Sequence, residues 1–424
     1  MARKMKDSGI EWIGEIPEGW ETCLYKYCCS VQPGYPFDSA KFSNSSTDGF
    51  PLIRIRDITS GEIQTYYTGE YPPNYIVTAG DLLVGMDGDF NVRWWNNDAA
   101  LLNQRCCRVT EKDSVLRRFL YYVLPFTLQH INTLTYATTV KHLANGDILN
   151  SFIAFPSLPA QQNIVHYLDT VCSEIDAMLS KTRSSIEEYK KLKQSVITQA
   201  VTKGVRGERE MKDSGVEWIG KIPREFDPVQ LKFFCKLITD GTHFSPTTVE
   251  NGWPYITAGD VHGIGLDYNS AKRISEEDFQ LLVAQGCQPL KGDVLLVKDG
   301  ATTGRVGFVD SDTPCVILSS VAMLRPADNT DGHYLMYLLA SDFLQKQILV
   351  SMAGSAMPRT TLTKLTKYIG LLPPLHEQKE IANYLDAKCA EIDRLIAKKE
   401  QLVKELESYK KSLIYEVVTG KREV

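Results

Sequence analysis

The sequence predicts an α+β protein. Two tandem mixed α/β globules are each followed by one long helix, and the two helices pack as an antiparallel coiled coil about a pseudo-twofold axis. Two observations predict this. Residues 5–20, MKDSGIEWIGEIPEGW, return at 211–226 as MKDSGVEWIGKIPREF, an offset of 211 − 5 = 206. Residues 155–179, FPSLPAQQNIVHYLDTVCSEIDAML, match 372–396, LPPLHEQKEIANYLDAKCAEIDRLI, and the cysteines at 172 and 389 set the offset there at 389 − 172 = 217. The chain is one unit written twice, and the second copy has gained 217 − 206 = 11 residues in its middle. Ends that hold while the middle diverges describe one scaffold presenting two different surfaces.

In order along the chain, the Asp7–Ser8–Gly9 and Asp213–Ser214–Gly215 segments read as turns opening each repeat. Pro51–Ile58 and Asp81–Val84 in the first copy, and Pro254–Thr257, Asp293–Val297 and Arg305–Val309 in the second, are β-branched runs bounded by Gly or Asp, the signature of short strands. Asp-Gly dipeptides between apolar runs at Asp87–Gly88 and Asp299–Gly300 mark a hairpin in each copy, at an offset of 299 − 87 = 212. Helical patches follow at Val115–Leu134 and His333–Leu349.

The long helices carry apolar stripes at steps of three and four. Ile164, Leu168, Val171, Ile175, Met178, Ile186, Tyr189, Val196 and Ala200 form one; Ile381, Leu385, Ile392, Leu395, Leu402, Leu406, Tyr409, Leu413 and Val417 form the other. Prolines at 156, 159, 373 and 374 stop the preceding strand and allow each helix to begin. Each helix is expected to run for about 38 residues, roughly 57 Å. Neither can bury its stripe alone, so the pair should associate, and the short link from Lys203 to the second globule favours an antiparallel pair. The expected division is 1–155, first globule; 156–204, first helix; 205–371, second globule; 372–424, second helix.

Composition narrows the function. A chain of 424 residues suits two domains, and 43% hydrophobic with 23% charged residues is ordinary for a soluble protein. No apolar run approaches the roughly eighteen residues that span a bilayer. The opening MARKMKDSG has no apolar stretch behind its basic residues, so it does not read as a secretory signal, and a cytoplasmic location is expected. Ten cysteines include the adjacent pairs Cys28/Cys29 and Cys106/Cys107 but no C-x-x-C, which reads as reduced, mostly buried thiols and not as zinc ligands. The net charge of −5 weighs against a free-standing DNA-binding domain, although local basic patches or partner subunits can supply phosphate contacts.

The openings I-E-W-I-G-x-I-P, the segment L-P-P-L-x-E-Q at Leu372–Gln378 with I-x-x-Y-L-D at Ile381–Asp386, and its degenerate twin Phe155–Gln161 with Ile164–Asp169 resemble the specificity subunits of type I restriction–modification systems. The segments Val297–Gly307 and Leu82–Arg93 look like that family's recognition domains, and the resemblance spans essentially the whole chain. One departure is Pro159–Ala160, where the family has x-E before the glutamine; it implies a lost contact at the helix start. The resemblance implies two target recognition domains, each reading one half of a split, asymmetric site on double-stranded DNA. It also implies helices that separate them and dock two methyltransferase subunits, with restriction subunits joining that core. Cofactors would belong to the partners (S-adenosylmethionine, ATP, magnesium) and none to this chain, which would not itself be an enzyme. The residues agree on the last point: there is no G-x-x-x-x-G-K-[ST] phosphate loop and no N-P-P-[YF] motif, and the seven histidines are scattered.

Base edges are read by Arg, Lys, Asn, Gln and small hydroxyls, phosphates by Lys, Arg and backbone N–H groups. Around the first Asp-Gly turn the candidates are Asn91, Arg93 and Trp94, with Gln104 and Arg105 on a neighbouring strand; Phe90 and Trp95 lie beside them. The alternative for the tryptophans is core packing, and for Arg93 a solvated surface. Around the second turn the candidates are Lys298, Thr302, Thr303 and Arg305. Lys141 and His142 align with Pro358 and Arg359 at offset 217, in the small-residue loops Ala137–Thr139 and Gly354–Ala356 that precede the return to the helix; DNA contact and unpartnered surface charge both fit them. Asp240–Gly241–Thr242–His243 reads as a turn with a loop histidine. The competing function is a coiled-coil adaptor whose globules bind proteins. A specificity domain fused to its own methylase or nuclease would need the missing motifs.

Overall fold

The computed structural model describes residues 3–134, 141–352 and 358–424. They form two compact units, Met1–Thr182 with Leu402–Val424, and Arg183–Gln401. The division falls inside both long helices, so residues 402–424 complete the first unit.

In the first unit the opening turn closes as its sequence requires. Gly9 N donates to Asp7 Oδ1 at 3.0 Å and Ile10 N to Ser8 Oγ at 3.0 Å, which folds Met5–Asp7 back as an antiparallel ladder with Glu15–Pro17. Next come β1 (Cys29–Pro33), β2 (Phe42–Ser43), β3 (Phe50–Ile53), α1 (Ile55–Ser60), β4 (Tyr66–Tyr67), β5 (Ile76–Val77), β6 (Leu82–Gly85), β7 (Val92–Trp94), β8 (Ala100–Leu102), β9 (Cys106–Glu111) and α2 (Arg117–Leu134). One sheet has the order β7-β6-β9-β1 and a second β2-β4-β3-β8-β5, with β3 and β8 parallel. The long helix α3, Leu158–Lys203, follows.

The second unit repeats this plan. It contains β10 (Cys235–Asp240), β11 (Thr248–Val249), β12 (Trp253–Ile256), β13 (Lys272–Ile274), α4 (Glu276–Ala284), β14 (Val294–Val297), β15 (Val306–Phe308), β16 (Val316–Ile317), β17 (Val321–Pro326), α5 (Gly332–Ala340), α6 (Asp342–Met352) and the long helix α7 (Leu375–Val418). Its sheets run β15-β14-β17-β10 and β11-β13-β12-β16, again with one parallel pair, β12 and β16. Register confirms the sliding offset: Val109 lies opposite Leu82 and Leu324 opposite Val294, so the shift has reached 324 − 109 = 215 at this strand. The second copy also has elements of its own, the Val261–His262/Gly265–Leu266 ladder and α4.

Three expectations need correction. Pro51–Ile58 is strand only to Ile53: Asp57 Oδ2 accepts the Arg54 N–H at 2.8 Å and caps a helical turn, so the β-branched residues Ile55 and Ile58 sit on α1. His333–Leu349 is two helices, because Ser341 is extended (ψ 149°) and its carbonyl starts the next helix by accepting from Leu344 N and Gln345 N. Each hairpin is real, but its loop is longer than the two residues that Asp-Gly favours, running from Met86 to Asn91 and from Lys298 to Arg305.

The helices are longer than expected, 46 and 44 residues, because Pro159 lies inside the first turn of α3, where its missing N–H costs nothing, and α7 starts directly after Pro374. Their pairing is antiparallel within the second unit. Lys193 Nζ lies 2.7 Å from Asp393 and Arg206 2.8 Å from Glu380, so 206 − 193 = 13 residues forward on one side match 393 − 380 = 13 backward on the other. In the first unit Lys410 Nζ meets Asp176 at 2.6 Å, and Leu413 and Val417 enter the core beside Ile164, Leu168 and Ile175. The seam drifts by one position from a strict heptad, as a 3.6-residue period must. Cys172 and Leu179 are buried while Met178 is half exposed, and Tyr409 is exposed where it was expected inside.

Each unit ties its own helix to the long-helix scaffold in the same way. The Tyr122 hydroxyl donates to Asp169 Oδ1 beside Arg118, and the Tyr337 hydroxyl donates to Asp386 Oδ1 at 2.8 Å beside His333. Burial pushes both phenols above their ordinary range, so they remain donors. Tyr337→Phe is expected to lower the stability of the second unit by about 1 kcal/mol, read from denaturant unfolding. All ten cysteines are unpaired and eight are buried; burial pushes Cys29 and Cys106 up to about 12.

Candidate nucleic-acid interface

In the first unit the hairpin β6–β7 is joined to the return segment by backbone. Asp87 forms an isolated antiparallel bridge with His142, Gly88 N donates to Lys141 O at 3.1 Å, and Leu143 N donates to Met86 O at 2.7 Å. In the second unit Asp299 bridges Arg359, Gly300 N donates to Pro358 O at 2.9 Å, and Thr360 N donates to Lys298 O at 2.9 Å. The alignment of Lys141 and His142 with Pro358 and Arg359 is therefore a structural equivalence. The small-residue loops Ala137–Thr139 and Gly354–Ala356 lie outside the described residues.

The aspartate of each turn gathers basic side chains. Asp87 holds His142 Nδ1 at 2.6 Å and Arg105 Nη1 at 3.3 Å, both heads about half exposed. Asp299 holds Arg359 Nε at 2.9 Å, with Arg359 59% exposed. Lys141 Nζ donates to Asn132 O at 3.1 Å. Gln104 and Arg105 lie not on a strand but in the turn between β8 and β9, which Cys106 N closes on Asn103 O at 2.9 Å. Asn91, Gln104 and Arg305 are exposed, Thr302 is half-buried, and Thr303 Oγ1 donates to Gly300 O at 2.7 Å and Pro358 O at 3.3 Å inside the Asp-Gly turn. In each unit the hairpin and return segment thus collect Arg105, Lys141 and His142, or Arg305 and Arg359, from distant parts of the sequence.

Three candidates are committed elsewhere. Lys298 is 2% exposed, its ammonium 2.8 Å from Asp299 and 3.3 Å from Asp240, and so presents no free cation. Arg93 Nη1 donates to Ile58 O at 3.1 Å and Thr59 O at 3.3 Å, closing the end of α1. Trp94 is half-buried, edge-on to Tyr121 and covered by the Arg118 guanidinium at 4.6 Å. Phe90 and Trp95 are core residues; Phe90 (φ 52°) is the non-glycine residue in the left-handed region among those described. Asp240 is a clamp on Lys298, Thr242 is buried, and Gly241 lies where a Cβ would fall 1.9 Å from Ile317 O, so only glycine fits.

Sequence reasoning passed over a polar recess of about 530 Å³ in the first unit, lined by Asn44, Ser46, Arg56, Ile63, Gln64 and Tyr66. Its signal is two arginines inside an apolar run, Arg54 and Arg56, in a segment whose β-branched residues predict a strand. Arg56 Nη2 donates to Thr65 Oγ1 at 2.9 Å, and its Nε lies 3.6 Å from Asp57 Oδ1. Burial raises the Asp57 carboxyl above its ordinary range, against the lowering by the Arg54 N–H.

Two sheets, a bridged hairpin and a long helix, built twice with different exposed side chains, define a duplicated recognition scaffold. Type I restriction modification DNA specificity domains match residues 17–188 and 223–406, and the chain belongs to that family, carrying the domain twice. It is similar to the specificity subunit of the type I restriction enzyme EcoBI from Escherichia coli, 29% identical over 404 residues that cover 93% of this chain and 84% of the relative. It is also similar to that of MjaVIII from Methanocaldococcus jannaschii, 24% identical over 96% of this chain and 93% of the relative. A solved chain from work on complex assembly and conformational transition of the type I R-M system shares the fold, with a TM-score of 0.70 and 18% identity over 96% of this chain and 99% of that one. The role of this chain is DNA sequence specificity, not catalysis. Among the described residues no helix is long and apolar enough to cross a membrane.

Proposed function

We propose that this subunit reads a bipartite, asymmetric double-stranded DNA site, one half with residues 1–155 and the other with residues 205–371. The segments 156–204 and 372–424 set the unread spacer and dock two methyltransferase subunits, which restriction subunits join in the cytoplasm. S-adenosylmethionine, ATP and magnesium belong to those partners. One observation supports this reading above the others. The same bridge between hairpin and return segment recurs in both units, at Asp87–His142 and Asp299–Arg359, while the exposed residues around it differ. A shared frame holds two surfaces in equivalent positions, and different side chains then select different bases. In the first unit Asn91, Gln104, Arg105, Lys141 and His142 face DNA; in the second Thr302, Thr303, Arg305 and Arg359 do. Arg93, Trp94 and Lys298 support these surfaces from behind.

The chain's net charge of −5 fits a subunit whose phosphate contacts are shared with partners. Replacing residues 1–150 with another recognition domain of the family, in the assembled methyltransferase complex, is expected to change one half of the methylated site and leave the other intact. Sequencing of modified adenines reads the result. A change in both halves would overturn the independent reading of half-sites, and salt-insensitive DNA binding by the parent complex would overturn the phosphate contacts.

A further inference from the structure

Given that DNA-reading role, on which this step rests, we infer that the first recognition domain selects bases through the recess between the end of β2, α1 and β4, with Arg56, Asn44 and Gln64 contacting base edges. The recess presents one guanidinium and two carboxamides, the groups whose paired donors and acceptors match guanine and adenine edges. Asn44 and Gln64 are exposed, and their amides have no partner among the described residues. Arg56 is anchored along one edge only, through Nη2 to Thr65 and Nε towards Asp57, which leaves Nη1 available on a side chain 48% exposed.

The element carrying Arg56 is held rigidly. Arg93 and Asn97, arriving from β7 and the segment after it, cap the last carbonyls of α1: Arg93 on Ile58 and Thr59, Asn97 Nδ2 on Gly61 O at 2.8 Å. Gly61 turns at φ +80°, and a Cβ there would lie 1.8 Å from Arg93 Nη2. This support fixes the backbone that carries Arg56, and the bond from its Nη2 to Thr65 Oγ1 spares the side chain part of the ordering cost of a surface arginine.

The second unit keeps the aspartate cap of this turn and loses the guanidinium. Asp260 Oδ2 accepts Thr257 N at 2.8 Å as Asp57 Oδ2 accepts Arg54 N, and 260 − 57 = 257 − 54 = 203. At that offset Arg56 corresponds to Gly259. A retained turn with an exchanged side chain is what two domains reading different half-sites require. The one cation faces a neighbouring carboxylate and the other readers are neutral, so the recess adds selectivity and little phosphate attraction.

The test uses the full complex with its methyltransferase subunits and a DNA library randomised at the first half-site. The Asn44→Ala/Arg56→Ala/Gln64→Ala variant is expected to lose discrimination at one or more positions of that half by about tenfold or more. Selection at the second half-site should be unchanged, and the salt slope should shift by no more than about one. If the triple variant does not assemble, the single variants Asn44→Ala and Gln64→Ala, which remove only exposed amides, should each relax a first-half position. An unchanged first half-site, or equal loss in both halves, overturns the recess as a base reader. A parent complex that selects no sequence at all would instead overturn the proposed function.

Discussion

Lys298→Ala is expected to destabilise the second unit by about 3 kcal/mol, because it leaves two aspartates facing each other without their shared cation. The lysine side chain is 3% exposed, and its ammonium sits between Asp299 Oδ2 at 2.8 Å and Asp240 Oδ2 at 3.3 Å. Breaking a buried ion pair costs about 3–5 kcal/mol, and the lower end applies because Asp240 and Asp299 keep 21% and 23% of their exposure. The first unit fills the same position with an apolar side chain. Met86 N donates to Arg105 O as Lys298 N donates to Ser320 O, at 298 − 86 = 212. The combination Lys298→Met/Asp240→Asn should therefore recover at least half of the loss. Hydrogen exchange across Val294–Phe308 with urea unfolding measures both variants, and an unmoved midpoint for Lys298→Ala would remove the clamp. At temperatures below the transition the double variant should keep the salt slope of DNA binding; a slope lower by about one would return Lys298 to the phosphate contacts.

Lys298 also shows where the sequence is legible and where it stops. The duplication, the hairpins and the long helices are patterns of a few residues repeated at an offset that slides only from 206 to 217, and each survives in the structure. The destination of a side chain is not such a pattern. Arg93 spends its guanidinium on carbonyls of Ile58 and Thr59, and Lys298 on Asp240, through contacts no local window contains. The sequence of α1 predicts a strand because its Ile55 and Ile58 are β-branched and its six residues are too few to establish a helical period. The recess has no local signature, since Asn44, Arg56 and Gln64 come together only when β2, α1 and β4 are placed.

The glutamines in the first turn of each long helix, Gln161 and Gln378, carry the second large effect. Gln378 is fully buried; its Oε1 accepts from Asp331 N at 2.9 Å, and its Nε2 donates to Asn329 O at 2.9 Å and Pro373 O at 2.8 Å. Gln161 is also fully buried and makes the same three bonds, to Leu116 N at 2.9 Å, Ser114 O at 3.1 Å and Pro156 O at 2.9 Å. The side chain thus fixes three backbone segments at once: the end of the strand before the helix, the loop before α2 or α5, and the first turn of the helix itself. Gln378→Leu would leave three buried backbone groups unpaired and is expected to cost about 3 kcal/mol or more, well above Tyr337→Phe. Gln161→Leu should do the same to the first unit. There the start of the helix has less to fall back on, because Ala160 stands where Glu377 is buried against Arg209, whose Nη2 lies 2.6 Å away and also donates to Lys203 O at 3.0 Å. Hydrogen exchange resolved by unit should show protection lost at Leu158–Leu168 in one variant and at Leu375–Leu385 in the other. Equal loss in both units, or none, would mean that the helix starts are set by the seam and not by the glutamines. Because the same side chain fixes where each helix departs from its sheet, the spacer role proposed for the helices predicts that Gln161→Leu and Gln378→Leu also loosen the spacing between half-sites before they alter which bases are chosen.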